Sequence, residues 1–525
     1  MTKGTGFRAA LAAVFSLYVF GSAPAQAQDV ILRSNDGTVE VRGRLVEFSD
    51  GFYVLENILG RQRLSAERLV CVGEACPKPD EAEADLVFAG SSTMGQGMMP
   101  LLILGYASQL GAEADIRNGS TPNSVIAELV ADGGFGNLLE TFLVKSSISD
   151  DAFSALLEKR ANIGLSSRRI LRTEARELRE SGAGNMVDVR QERIVAVDPM
   201  TIIVNPSNPV TQIRELELSA IYQGLIRNWS ELGGPDLPIT LYTYDAGTTS
   251  RLYFDELALT GAPMSTAAKI ITDDNAMAAA VNADPGGIGY VGYAFQRGAK
   301  PLSLLLNCGI AALPTPFASK TEQYPLHRRL YMYARADGMT ETVQQFLDFA
   351  TSPAADGVIA KSGFVDLGIE RQTGELPDEM VRSMLNSAID TYELTFAQKM
   401  VEERRKWNRL SATFRFATGS SRLDERGLAD LRRLAEYLAL EPAGTRVAVV
   451  GFTDSDGPFD ANLNLAIQRA RQVAAELDAL AGPSLGKLKF EAQGYGELAP
   501  EACNDTQSQK RINRRVEIWI RPPDA

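Results

Sequence analysis

The sequence predicts a modular chain of α/β and α+β class: a small N-terminal β module, an α/β unit, a helical spacer and a C-terminal α+β unit. Three observations predict it. Between residues 28 and 80, short apolar runs alternate with polar positions and are parted by Gly and Asp-Gly turns, as in an antiparallel meander. Between residues 86 and 370, short apolar runs alternate with amphipathic stretches, as in a parallel α/β fold. Between residues 410 and 522, an apolar strand, a long amphipathic helix and a final strand follow one another.

Lys3 and Arg8 precede an apolar run from Ala9 to Phe20, and Ala25-Gln-Ala27 offers a small-residue cleavage site, so residues 1–27 read as a secretory signal peptide. Gln28 follows, not Cys, which argues against a lipid anchor. No later apolar run reaches the roughly 18 residues a spanning helix needs, so a soluble protein in a Gram-negative periplasm is expected. In the β module, strands are read at Val30-Ile-Leu, from Val39 to Leu45, at Phe52-Tyr-Val-Leu and from Arg63 through Cys71. Lys78-Pro-Asp-Glu-Ala-Glu-Ala-Asp85 is an acidic linker. In the α/β unit, strands are read at Leu86-Val-Phe-Ala, Ala114-Asp-Ile-Arg, Ile163-Gly-Leu, Ile194-Val-Ala-Val, Met200 to Asn205 and Ile239-Thr-Leu-Tyr. Residues 375–408 place Met380, Met384, Ala388, Tyr392 and Phe396 at helical spacing and are read as a helical spacer.

Composition excludes several function classes. The chain of 525 residues carries a formal charge of −13, which argues against nucleic acid or an anionic membrane as partner. Four cysteines in an oxidising compartment favour disulfides over metal. Cys71 and Cys76 enclose four residues and are read as a disulfide; Cys308 and Cys503 lie in different units, and their pairing stays open. His327 is the single histidine, so His-based metal clusters and triads are not expected, and neither is any cofactor. The hydroxyl-rich turns lack a nearby His or Lys base and the Gly-x-Ser-x-Gly frame, so no enzyme is expected.

The most specific motif lies near the C-terminus. Val447-Ala-Val-Val-Gly-Phe-Thr-Asp454 runs into a turn, and a helix through Asn462, Leu465, Arg469, Val473 and Leu477 follows, with Asn-Arg-Arg-Val-Glu-Ile518 closing the unit. An acid at a strand end and a base on the next helix suit a zwitterion, the acid taking an ammonium and the base a carboxylate. This pattern resembles the OmpA-like peptidoglycan-binding domain. The resemblance implies that Asp454 and Arg469, with Asn462, hold the diaminopimelate of the peptidoglycan stem peptide. The plainer role, Asp454 closing a turn and Arg469 decorating a helix, is the alternative.

A second array runs through the middle unit: Ala89-Gly-Ser-Ser-Thr-Met94, Ala161 to Ile170, Asn205-Pro-Ser-Asn-Pro, Arg227-Asn-Trp-Ser-Glu-Leu-Gly-Gly234, Gly247-Thr-Thr-Ser-Arg251 and Gly287-Ile-Gly-Tyr-Val291. It resembles the phosphate-binding protein of the phosphate ABC transporter, a type II periplasmic binding protein. The resemblance implies two lobes closing on an oxyanion, with helix N-termini supplying free N–H groups. By position it selects Thr93, the Met94 backbone, Ser149, Ser167, Arg168, Thr248, Thr249 and Ser250 as anion-binding. Each hydroxyl has capping as its ordinary alternative. Tyr244 stands where the resemblance expects an arginine, and Asp150 and Asp151 sit beside Ser149, where inward-turned carboxylates oppose an anion. The expected function is a peptidoglycan-tethered solute-binding protein for phosphate or a related oxyanion, serving an ABC permease or an outer-membrane protein. The alternative is a structural or adaptor protein whose cleft has lost or changed its ligand; acids turned into the cleft favour it, and acids turned out favour the receptor.

Overall fold

The computed structural model describes residues 29–34, 39–49, 52–65, 69–73, 76, 84–119, 121, 123–376, 378–416, 420, 423 and 425–523. The expected signal peptide and most of the acidic linker lie outside these residues. The chain divides into two compact units, residues 1–80 and 81–525.

The first unit is a five-stranded antiparallel sheet in the order Gly60–Ser65, Phe52–Asn57, Glu40–Ser49, Asp29–Ser34, Leu69–Val72. Sequence alternation sets its one buried face: Val30, Leu32, Tyr53 and Leu55 form the core, with Val41, Leu45 and Leu64 packed on it. Four buried side chains make a slight core, and the Cys71–Cys76 disulfide clips its edge as expected.

The second unit holds a continuous sheet and, packed with it, the C-terminal sheet. In the continuous sheet, the strands Lys269–Ile271, Thr240–Tyr244, Gly287–Gly292, Glu192–Val204, His327–Ala334, Ile163–Ser166, Leu86–Ser91, Leu138–Ser147, Ser124–Val130 and Glu113–Asn118 lie side by side in that order. Glu192–Val204 crosses between two halves: its first part pairs with His327–Ala334, and from Met200 onward it pairs with Gly287–Gly292. The two strands expected at 194–197 and 200–205 are therefore one. The expected parallel sheet is corrected to a mixed one. Leu86–Ser91 pairs in parallel with Ile163–Ser166 and Leu138–Ser147, whereas His327–Ala334 and the 113–130 hairpin are antiparallel.

The C-terminal sheet has the order Arg371–Gln372, Asn408–Arg415, Arg515–Arg521, Arg446–Gly451, Lys489–Gly494. Both faces are covered, which explains the unbroken apolar run at 447–450. Val447 and Val449 face the helices Glu425–Ala439 and Phe459–Leu485. Ala448, Val450 and Phe452 face Ala397, Met400 and Trp407. The single spacer helix is corrected accordingly: residues 375–408 form two helices, Asp378–Asn386 and Thr391–Lys406, the second capped by Asp390, whose side chain accepts from Glu393 N. Met384, Ala388 and Phe396 pack on the sheet, while Met380 and Tyr392 of the expected apolar stripe are exposed.

The C-terminal and middle parts share a core. Ala502 and Cys503 join the large middle cluster, and a disulfide links Cys308 to Cys503, closing the question the sequence left open. Arg433 Nη2 reaches Thr351 O at 3.5 Å, and Arg415 Nη2 donates to Thr321 O.

Candidate binding sites

A cavity of about 80 Å³ opens where strand ends from the two halves of the middle sheet meet. Thr93, Ser149, Ser167, Thr248, Thr249 and Ser250 all line it, so six expected positions converge. Its volume suits a small ion, well below the roughly 300–1,000 Å³ of sites for larger ligands. Two helix starts lack side-chain caps here. Ser91 precedes Ser92–Gly97 and Ile148 precedes Ser149–Leu157, each without a capping bond. Their first N–H groups, Met94's among them, are left for another acceptor; the Met94 side chain itself is buried in the core.

The hydroxyls divide by role. Thr248 is a cap: its Oγ1 accepts from Arg251 N at 3.3 Å and donates to Asp245 O at 2.9 Å. Ser149 Oγ accepts from Ser167 N at 3.0 Å and lies 3.1 Å from Ser167 Oγ, tying two turns together. Thr93 and Ser250, from opposite halves, both meet Arg328, whose Nη2 lies 3.4 Å from Thr93 Oγ1 and whose Nη1 lies 3.0 Å from Ser250 Oγ.

Arg328 is the residue the sequence reading missed. It faces Asp198 directly across the ladder and forms a two-pronged ion pair with it, at 3.0 Å from Nε and 2.8 Å from Nη2. Both side chains are almost wholly buried, at 2% and 0% exposure. Burial pulls the guanidinium down, but the carboxylates of Asp198 and Asp274 outweigh it and hold Arg328 above its ordinary value. Tyr244 replaces the expected arginine, and its hydroxyl bonds Asp274; a cation stands on another strand, where Arg328 backs Thr93 and Ser250 of the lining without lining the cavity itself. The available signal was Asp198, a lone acid in the apolar run 194–204, which needs a buried cation.

Arg168 is corrected. It does not line the cavity; its guanidinium binds Asp150 at 2.5 Å and Glu174 at 2.6 Å and lies over the Phe153 ring. The pairing turns Asp150 outward, and Asp151 is exposed as well, the arrangement expected of a receptor. Two other acids line the cleft. Asp273 caps Asp274–Ala283 by accepting from Ala276 N at 2.9 Å. Burial pushes the Asp274 carboxyl up, against the hydrogen bond from Tyr244 and the charge of Arg328.

In the C-terminal unit, Asp454 and Arg469 lie in one electrostatic neighbourhood, since the Asp454 charge acts on Arg469. Asp454 is paired within the fold, whereas Arg469 keeps two nitrogens unpaired among the described residues. Asp454 Oδ2 is held by Arg514 Nη1 at 2.6 Å, with both side chains under 10% exposed. No ion pair joins Asp454 to Arg469 among the described residues. Arg469 is fully buried; its Nε donates to Ser420 O at 3.1 Å, while Nη1 and Nη2 have no hydrogen-bond partner among the described residues. Burial, then repulsion from Arg514, pushes its guanidinium down to about 10, so it stays charged at neutral pH. Asn462 donates to Asp454 O at 3.4 Å and also bonds Glu497, positioning the turn rather than facing open space.

Comparison with known proteins agrees with this architecture. The sequence model of the PBP superfamily domain matches residues 86–354, and that of the OmpA family matches residues 415–514. The phosphate-binding protein PstS of Borreliella burgdorferi is 24% identical over 226 residues, covering 42% of this chain and 77% of that protein. The PstS of Bacillus subtilis is 30% identical over 174 residues, covering 33% and 56%. Outer membrane porin F of Pseudomonas fluorescens is 35% identical over 112 residues, covering 21% of this chain and 33% of that protein. Among solved structures, an ABC-type phosphate transport receptor from Vibrio cholerae is similar at 22% identity and a TM-score of 0.40, covering 54% of this chain and 99% of that one. The first match takes in just over half of the sequence, and the chain therefore belongs to the PBP superfamily, with an OmpA-family domain at its C-terminus.

Proposed function

We propose that this protein is a peptidoglycan-tethered receptor of the bacterial envelope that captures a small tetrahedral oxyanion, phosphate first among them, without transforming it. One observation carries the reading: hydroxyls from both halves of the middle sheet converge on the buried guanidinium of Arg328 around a cavity of about 80 Å³. A ligand there gains hydroxyl donors backed by a fixed cation, and uncapped helix N–H groups, the donors that water-free anion recognition needs. The outward pairing of Asp150 and the names of the PstS relatives support the same reading.

The OmpA-family domain supplies the tether. In this reading the two partnerless Nη groups of Arg469 take the stem-peptide carboxylate, and the Asp454–Arg514 pair offers the carboxylate for its ammonium. Capture beside the wall keeps the ion near an ABC permease or an outer-membrane protein. A sedimentation experiment tests both halves together: purified peptidoglycan, the full chain and labelled inorganic phosphate are mixed and pelleted. The reading expects label in the pellet only when the protein is present. Protein that pellets without label defeats the receptor half, and protein that stays in solution defeats the tether.

A further inference from the structure

Behind the cleft lies a second and larger cavity, of about 310 Å³, between the middle part and the C-terminal domain. It shares Ser167 with the cleft, but its far wall is the opening strand of the C-terminal sheet, at Thr413 and Arg415. Three polar atoms on that wall are buried with no hydrogen-bond partner among the described residues: Thr413 Oγ1 and Arg415 Nε and Nη1. Arg415 Nη2 donates to Thr321 O and lies 3.6 Å from Glu501, and Nε lies 3.8 Å from Glu322, so Nη1 is the nitrogen with neither a hydrogen bond nor a carboxylate beside it among the described residues. Burial pushes this guanidinium down to about 10 against the pull of Glu501 and Glu322, with Arg515 and Arg409 opposing its charge further. Arg511 joins the lining, exposed and without an ion pair among the described residues.

Guanidinium groups dominate the walls although the chain as a whole is acidic. Arg169 and Arg329 also line the space, but Glu192 and Glu322 already hold them. Glu256 and Asp430 lie on the lining as well and set a limit on how much negative charge the space accepts. A buried donor with no partner costs about 1–3 kcal/mol, more when charged, and a cavity of this volume falls within the range of small-molecule sites. A forked guanidinium with one free prong matches an oxyanion group.

We propose that this interdomain cavity binds a small organic or inorganic polyanion with at least two oxyanion groups, one seated on Arg415 and Thr413 and the other on Arg511. Phosphate and carboxylate share this chemistry, and two probes separate them: inorganic pyrophosphate and citrate. Each is titrated calorimetrically into the full chain, into a Thr93→Val/Ser250→Ala variant with the cleft disabled, and into Arg511→Gln and Thr413→Val. Stoichiometric binding of one probe is expected in the wild type and in the cleft variant, with at least tenfold weaker binding in Arg511→Gln and about threefold in Thr413→Val. Inorganic phosphate binding at the cleft is expected unchanged in Arg511→Gln, whose exposed side chain leaves the fold intact. Binding that vanishes in the cleft variant, that is equal in Arg511→Gln, or that is absent for both probes overturns the proposal.

Discussion

Replacing Arg469 by Met separates a binding role from a structural one, because the two roles predict opposite effects on stability. The guanidinium is fully buried with two donor nitrogens unpaired, each costing about 1–3 kcal/mol. Against that stand its Nε bond to Ser420 O, about 1.5–3 kcal/mol for a charged donor, and its place 5.3 Å from the Phe416 ring centroid, about 0.5–2 kcal/mol. Met keeps most of the volume and removes the repulsion from Arg514. Asp454 keeps its partner Arg514, so no acid is orphaned. Arg469→Met is therefore expected to be at least as stable as the wild type in urea unfolding, by up to about 2 kcal/mol, and to lose sedimentation with peptidoglycan. A loss of more than about 2 kcal/mol would mean that the guanidinium is satisfied within the fold. Undiminished sedimentation would refute its place in the wall site.

Three further outcomes are expected. Arg168→Ala should leave anion affinity within about twofold, because the side chain lies outside the cleft; a calorimetric titration showing a large loss would return it to the site. Asp356 is pushed up to about 6 by burial and then by Asp366, so the folded chain keeps a proton that the unfolded chain releases as pH rises above about 4. That group's contribution is full below pH 4 and falls through pH 6; after allowance for its partial exposure, Asp356→Asn should gain on the order of 1 kcal/mol at pH 7.5 and nothing near pH 4, by urea unfolding. Replacing Cys308 and Cys503 together by Ser should cost about 2–4 kcal/mol in the same assay, and no change would deny the disulfide a part in holding the C-terminal domain.

The parts legible in the sequence were those with short-range signatures. The strand at Leu86–Ser91, the turn at Thr93 and the helix carrying Arg469 follow from periodicity and turn chemistry. The long-range pairings did not. Asp198 and Arg328 are 130 residues apart, and only the antiparallel register of their strands brings them together. Arg514 lay inside a motif read for its family spacing, yet its grip on Asp454 depends on how the last strand enters the sheet. The spacer misled for a related reason: an apolar stripe at helical spacing says that a face is buried, not that the helix is unbroken, and Asp390 starts a second helix within it. Two pieces of the middle array, Asn205-Pro-Ser-Asn-Pro and the run through Trp229, are scaffold. Asn205 bonds Val281 O and Asn282 O, and Trp229 Nε1 bonds Gly286 O.

The most direct measurement is calorimetry of the ligand-free full chain with inorganic phosphate, run beside the Thr93→Val/Ser250→Ala variant. Those two hydroxyls are the contacts that opposite halves make with Arg328, and removing both leaves the Asp198–Arg328 pair intact. The account predicts one bound ion per chain and, at about 1–1.5 kcal/mol per hydrogen bond, a weakening of roughly 30- to 150-fold in the variant. No heat from the wild-type protein, or equal affinity in the two proteins, would contradict it.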